Sequence, residues 1–292
     1  MESGRLVNDQ ALLRVKFSAL SFVSGLAPTI WTHFFSDEWT VRVVFGRFFW
    51  TSVVSLIFGK CLFPRYYDVW WRALVTGLGV SFGIMLFVFP GNGLDNLGAY
   101  FCILSVFHYL EYVVTGLTNP SNLSTDSFLL NHSKQYWLAA TASWLEYFIE
   151  RFFFPSLKQM PSICALGILT CGCGDVLRKL AMFHAGNSFS HIVQSSKKDD
   201  HQLVTTGVFA VVRHPSYVGW FLWSIGTQIV LANPICLIVY TIVSWSFFNE
   251  RIFVEEYSLL QFFGECYEDY QAKVPSGIPF VKGFVIGQPT VN

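Results

Sequence analysis

Apolar stretches of about twenty residues, separated by short polar joints, recur along most of the chain. A bilayer core about 30 Å thick takes ~20 helical residues at ~1.5 Å each. The pattern predicts membrane spans near Leu12–Phe35, Val43–Phe63, Val69–Phe89, Leu97–Leu117 and Tyr136–Phe154. A sixth covers Ser162–Leu177, with a polar extension to Phe183. Two shorter runs, Tyr217–Leu231 and Ile235–Phe248, are divided by Asn233-Pro234 and read as a tilted or re-entrant hairpin. Backbone in lipid must satisfy its own polar groups, and barrel-like alternation is absent. The expectation is therefore an all-α polytopic membrane protein of about eight helices. Gly77, Gly79, Gly83, Gly167, Gly172 and Gly174, inside apolar runs, are expected to let helices approach closely. Trp31, Trp70 and Trp71, the last beside Arg72, suit the aromatic belt of the interfaces.

Composition agrees with this pattern. Of 292 residues 53% are hydrophobic and only 13% charged, against ~25% in soluble domains. The formal net charge is zero, which supplies no basic field for nucleic acid. Seven cysteines, scattered singly, form neither a disulfide framework nor a zinc pattern. The first apolar run is too long for a cleaved signal and reads as a retained span, and the C-terminus carries no lipidation or retention motif. Arg5, Lys60, Arg65, Arg72, Lys134, Lys197, Lys198 and Arg213 fall on one side together with both termini, whereas Arg151 and Lys158 fall on the other. The positive-inside rule then places both termini in the cytosol. The sequons Asn122-Leu123-Ser124 and Asn131-His132-Ser133 share that side and should stay unglycosylated.

Polar residues gather in three places, Thr118–Gln135, Arg178–Tyr217 and Asn249 onward, all on the expected cytosolic side. The second holds His184, His191, His201 and His214, whose spacings match no metal motif, so no metal site is expected. Gly172-Cys173-Gly174 lies inside an apolar helix and not after a strand, which rules against a dinucleotide loop. Arg213-His214-Pro215 immediately precedes a helix, with Pro215 fit for its first turn. Two readings stay open there: Arg213 snorkels to headgroups, or the helix start forms an acceptor-binding site. Arg251 and Glu255 share a helix face, either as a surface ion pair or as a functional pair at the membrane boundary. Asn119–Ser133 reads chiefly as caps and turns.

Gly207-Val208-Phe209 with Arg213-His214-Pro215-Ser216-Tyr217-Val218-Gly219, followed by Glu255-Glu256, Phe263-Gly264, Tyr267 and Tyr270, resembles the signature of isoprenylcysteine carboxyl methyltransferases. The likeness extends to Asn119–Ser133, to Arg178–Phe183 and to Val274–Pro279, and covers roughly residues 95–283. It implies an endoplasmic reticulum enzyme that uses S-adenosylmethionine to methylate the C-terminal carboxylate of prenylated cysteine in processed CaaX proteins. By that resemblance, Gln194, His201, Gln202, Leu203, Val204, Phe209, His214, Pro215, Ser216, Tyr217 and Glu255 would contact the cofactor, and Arg251 the substrate carboxylate. Arg251 and Glu255 are the expected catalytic pair. The chain would form one membrane domain over 1–292, with N-terminal helices in 1–117 and the catalytic core in 118–292. Phe209 stands where relatives tend to carry Tyr, and Ser246 where some carry Arg, so Arg178 is the candidate second cation for the carboxylate. The Arg-His-Pro module is shared with phospholipid methyltransferases and sterol reductases, which remain alternatives, as does a non-enzymatic membrane scaffold or channel.

The chemistry suits a site without a general base. An α-carboxylate with a pKa of ~3.3–3.7 is already ionised near neutral pH. Methyl transfer from a sulfonium then needs positioning and a water-poor pocket. A prenyl tail partitions into lipid at ~0.8 kcal/mol per CH₂, so its entrance is expected near the fourth to sixth helices and the final hairpin.

Overall fold

The computed structural model describes residues 2–35, 41–88, 94–130, 133–194, 196–197 and 201–286. Among them, helices follow in the order α1 (Glu2–Phe35), α2 (Val41–Leu62), α3 (Tyr67–Val88), α4 (Asp95–Thr118), α5 (Lys134–Phe153), α6 (Pro161–Ala185), α7 (Pro215–Val230), α8 (Pro234–Phe263) and α9 (Glu265–Lys273). Each predicted apolar run becomes one long helix, and the differences lie at the ends. Apolarity marks the lipid-compatible part of a helix, while its hydrogen bonding continues into water. Thus α1 begins at Glu2 instead of Leu12, and α8 runs 30 residues, fifteen beyond Phe248. At ~1.5 Å per residue α8 is about 45 Å long, so the short run seen in the sequence is only its apolar part. The predicted end of the third span, Phe89, lies outside the described residues.

Among the described residues five helices, α1 to α4 and α8, are long and apolar enough to cross a bilayer. The shorter α7 has 16 residues, and α5 and α6 carry Glu146, Glu150, Asp175, Arg178 and Lys179. Those charges are spent inside the protein. Lys158, after α5, donates to Glu150 Oε2 (2.6 Å), to the carbonyls of Leu231 (3.1 Å) and Ala232 (2.8 Å) and to Asn233 Oδ1 (2.9 Å). Glu146 accepts from the backbone N–H groups of Ile235 (2.7 Å) and Cys236 (2.6 Å). A cation thus meets the C-terminal end of α7 and an anion the N-terminal end of α8, each where the helix dipole favours it. This fixes the turn of the α7–α8 hairpin.

The most extensive helix contact joins α6 to α7. Near the start of α7 the contact is glycine on glycine: a Cβ added at Gly219 would lie 2.5 Å from the Gly174 carbonyl oxygen and 2.8 Å from the Arg178 backbone nitrogen. That approach carries Arg178 to the start of α7. Gly77 in the same way meets α1 at Phe22 and Gly25. Gly172, expected to share this role, faces open space. Trp70 also departs from expectation. It is 1% exposed, and its indole N–H donates to the Ser55 carbonyl at 2.9 Å, so it belongs to the core and not to an interfacial belt.

Candidate active site

Pro215 occupies the first turn of α7, and His214 is its N-cap residue. The segment entering this turn is held by the chain after α9, because Arg213 N–H donates to the Pro275 carbonyl (2.9 Å) and His214 N–H to that of Ser276 (3.2 Å). Arg213 does not snorkel. Its guanidinium is buried and donates to Glu256 Oε1 (2.8 Å) and to the carbonyls of Gln271 (3.2 Å), Lys282 (3.1 Å) and Val274. Glu256, fully buried, also meets His214 Nε2 (2.9 Å), Tyr267 Oη (3.2 Å) and Gln271 Nε2 (2.9 Å). One carboxylate thereby ties α7, α8, α9 and the C-terminal strap together. A buried ion pair holds when its remaining hydrogen-bonding capacity is filled, as it is here.

This frame closes a cavity of about 700 Å³, including its open mouth. Of the sequence-predicted residues, His201, Gln202, Leu203, Val204, Phe209, His214, Pro215, Ser216, Tyr217 and Glu255 all line it. Sequence reasoning missed Ser188, Phe189, Leu259 and Phe263 on its wall. Gln194 lines a smaller recess next door, with His201, Tyr217 and Glu255. Its amide folds back on its own loop, donating to Ser190 Oγ (2.9 Å) and the Ile192 carbonyl (3.1 Å). At position 209 the phenylalanine offers its carbonyl, which accepts from Tyr270 Oη at 2.6 Å. Burial pushes the Tyr270 phenol up to about 12.

Arg251 and Glu255 form no direct ion pair among the described contacts. The Tyr217 hydroxyl stands between them, donating to Glu255 Oε2 and accepting from Arg251 Nε at 3.1 Å. Arg251 Nη2 donates to the His191 carbonyl at 2.5 Å. Arg251 lines its own recess of about 350 Å³ with Arg178, His191, Ser216, Tyr217 and Trp220. Arg178 is not a free second cation. Its Nε and Nη2 grip both oxygens of the buried Glu111 at 2.6 and 2.7 Å, and Nη1 donates to Ser216 Oγ at 2.7 Å. Lys179 and His191 complete the shell of Glu111 at 2.5 and 2.9 Å. Ser246 faces outward from α8. Glu111 is the second omission of the sequence reading. Its signal was available, since an ionisable residue inside an apolar helix marks a buried partner.

Asn119 has more than a capping role. Its side-chain amide donates to the carbonyls of Asn187 (3.1 Å) and Phe189 (2.8 Å), tethering the loop after α6. Asn131 and His132, from the same segment, lie outside the described residues. An apolar cavity, about 1440 Å³ including its open side, runs between α4, α5, α7 and α8 and is walled by Tyr100, Leu104, Ala139, Ala142, Trp223, Val239 and Val243. It shares Trp220, Phe247 and Phe248 with the Arg251 recess. That recess in turn shares Ser216 and Tyr217 with the polar cavity.

Comparison with known proteins joins this geometry to a family. The model of the isoprenylcysteine carboxyl methyltransferase (ICMT) family matches residues 166–261. A protein-S-isoprenylcysteine O-methyltransferase of Xenopus laevis is 45% identical over 97% of this chain and 98% of its own length. The chain belongs to the isoprenylcysteine carboxyl methyltransferase family. The human protein-S-isoprenylcysteine O-methyltransferase is 50% identical over 75% of this chain and 77% of its own. A solved structure of the eukaryotic intramembrane Ras methyltransferase ICMT superposes with a TM-score of 0.89 at 42% identity, covering 93% of this chain and 99% of that one. The ICMT-matched stretch takes in most of α6, all of α7 and most of α8, which carry Arg178, Tyr217, Arg251 and Glu255. This family member is an α-helical multi-pass membrane protein.

Proposed function

We propose that this protein transfers a methyl group from S-adenosylmethionine to the C-terminal carboxylate of prenylated cysteine in processed CaaX proteins, at the cytosolic face of the endoplasmic reticulum membrane. The observation that carries this reading is the shared walls. Polar cavity, arginine recess and apolar cavity form one path, joined at Ser216 and Tyr217 and again at Trp220, Phe247 and Phe248. A water-borne cation, an anionic head and a hydrocarbon tail each find a matching environment along it.

The residues of the polar cavity fit S-adenosylmethionine. Aromatic and aliphatic side chains, Phe209, Leu259 and Phe263, offer a wall for adenine, and the Glu255 carboxylate offers an acceptor for its hydroxyl or ammonium groups. When bound there, S-adenosylmethionine supplies an electrophilic methyl group on a sulfonium. Arg251 holds the acceptor carboxylate through paired N–H donors, a geometry that suits guanidinium. Its cation also orients the carboxylate without fully neutralising it, which preserves the nucleophile. Tyr217, bonded to both Arg251 and Glu255, fixes the distance between the two half-sites. Trp220, Phe247 and Phe248 exclude water from the join, which strengthens the electrostatics within. The side of the apolar cavity between α5 and α8 is the entrance from lipid.

The deciding experiment is radiolabelled methyl transfer on the purified full chain, with N-acetyl-S-farnesylcysteine and phosphatidylethanolamine as competing acceptors. Label in the prenylcysteine alone is the expected result. Label in the phospholipid, or in neither, would remove the proposal.

A further inference from the structure

Of the four histidines from the last turn of α6 to the start of α7, His191 links the buried Glu111 cluster to Arg251. Its ring Nε2 lies 2.9 Å from Glu111 Oε2, and its own carbonyl accepts from Arg251 Nη2 at 2.5 Å. Glu111, on α4, is itself immobilised by Arg178 and Lys179 of α6. A carboxylate only accepts, so Nε2 must carry the hydrogen, which fixes the tautomer and the ring plane. His191 therefore bridges a rigid charged cluster on α4 and α6 to the arginine of α8.

We infer that His191, pinned by Glu111, is a positioning residue that aims Arg251 at the acceptor carboxylate. The inference rests on the role proposed above for Arg251. A guanidinium on a flexible stem has rotamer freedom to lose, and binding is weaker when that loss falls on the bound state. Here Tyr217 Oη takes the Nε–H, and the His191 carbonyl takes one hydrogen of Nη2. Each terminal nitrogen carries two hydrogens, so the second hydrogen of Nη2 and those of Nη1 form an edge of fixed direction. A carboxylate meets that edge with two parallel bonds. The His191 ring sets where its carbonyl stands, and the carbonyl sets where the edge points.

The test uses the full chain, S-adenosylmethionine and N-acetyl-S-farnesylcysteine, with the variants His191→Leu, His191→Gln, Arg251→Lys and the double variant His191→Leu/Arg251→Lys. His191 lies on a loop and is partly exposed, so its variants leave the Arg178–Glu111–Lys179 cluster paired, which Glu111→Gln would not. His191→Leu should raise the acceptor KM on the order of tenfold, the scale of a lost hydrogen bond near a charge. The KM for S-adenosylmethionine should stay within about twofold, and His191→Gln, which keeps an N–H donor, should recover most of the loss. In the Arg251→Lys background the same change should cost less than about twofold, since it acts through Arg251. Losses that multiply in the double variant, an equal rise in both KM values, or failure of the glutamine to rescue would each overturn the inference. Wild-type protein that methylates no prenylcysteine removes the reading of Arg251 and this inference with it. Normal wild-type turnover with an unaffected His191→Leu removes the inference alone.

Discussion

Glu255 and Glu256 are consecutive on α8 and meet different surroundings, because successive helical side chains point about 100° apart. Glu256 faces inward to Arg213, His214, Tyr267 and Gln271, while Glu255 faces the cavity and Tyr217. Their conservative variants should fail in different assays. Glu256→Gln leaves a buried arginine without its counter-ion and should cost about 3–5 kcal/mol, read as a lower unfolding midpoint. Glu255→Gln should keep that midpoint and raise the KM for S-adenosylmethionine on the order of tenfold, the loss of a charge-assisted bond. Arg251→Lys should fold normally yet lose about 10²-fold in kcat/KM for the prenylcysteine, because a point charge replaces a bidentate fork. The family resemblance singled out Glu255 for the cavity, where it lies, but the buried role of Glu256 depended on helix rotation, which packing sets. The buried contacts of Arg213 were hidden for a related reason: its partners lie 43 to 69 positions further along the chain.

At the level of elements, the site depends on how closely α6 lies against α7. Gly174 and Gly219 set that distance, and Arg178 reaches Ser216 only because of it. Gly219→Leu should destabilise by at least ~1–3 kcal/mol through overpacking, and it should lower activity further by displacing Ser216 and Tyr217. Gly172→Leu, two residues from Gly174 but facing outward, should change the unfolding midpoint by no more than about ±0.5 kcal/mol equivalent. Thermal unfolding in one detergent compares the pair directly. The sequence marked Gly172 and Gly174 alike as close-approach positions, since apolar context is the same around each. Only the rotation of α6 separates the one that touches α7 from the one that does not. The length of α8 was likewise only half visible, because Asn249, Glu250 and Arg251 interrupt its apolar run, yet the same hydrogen-bonded ladder continues through them to Phe263.

For the molecule as a whole, the Arg213 strap, the tethered loop after α6 and the cavity all lie at one end of the α7–α8 hairpin, and the Lys158–Glu150 lock at the other. If the cavity end is cytosolic, Asn122 should remain unglycosylated in microsomes, and an engineered sequon in the 155–158 turn should be modified. A glycan at Asn122 would reverse the orientation. The sequence by itself determined the place of the long helices and the polar clusters between them, because those follow from hydrophobicity and local spacing, while the signature residues were read from the family resemblance. It could not determine which of the signature residues meet, since α4, α6, α7 and α8 are brought together by tertiary packing. Glu111 under Arg178, Tyr217 between Arg251 and Glu255, and the path from polar cavity to apolar groove were decided there. A helix face takes its partners from the opposite helix, and linear order carries no record of that rotation and depth.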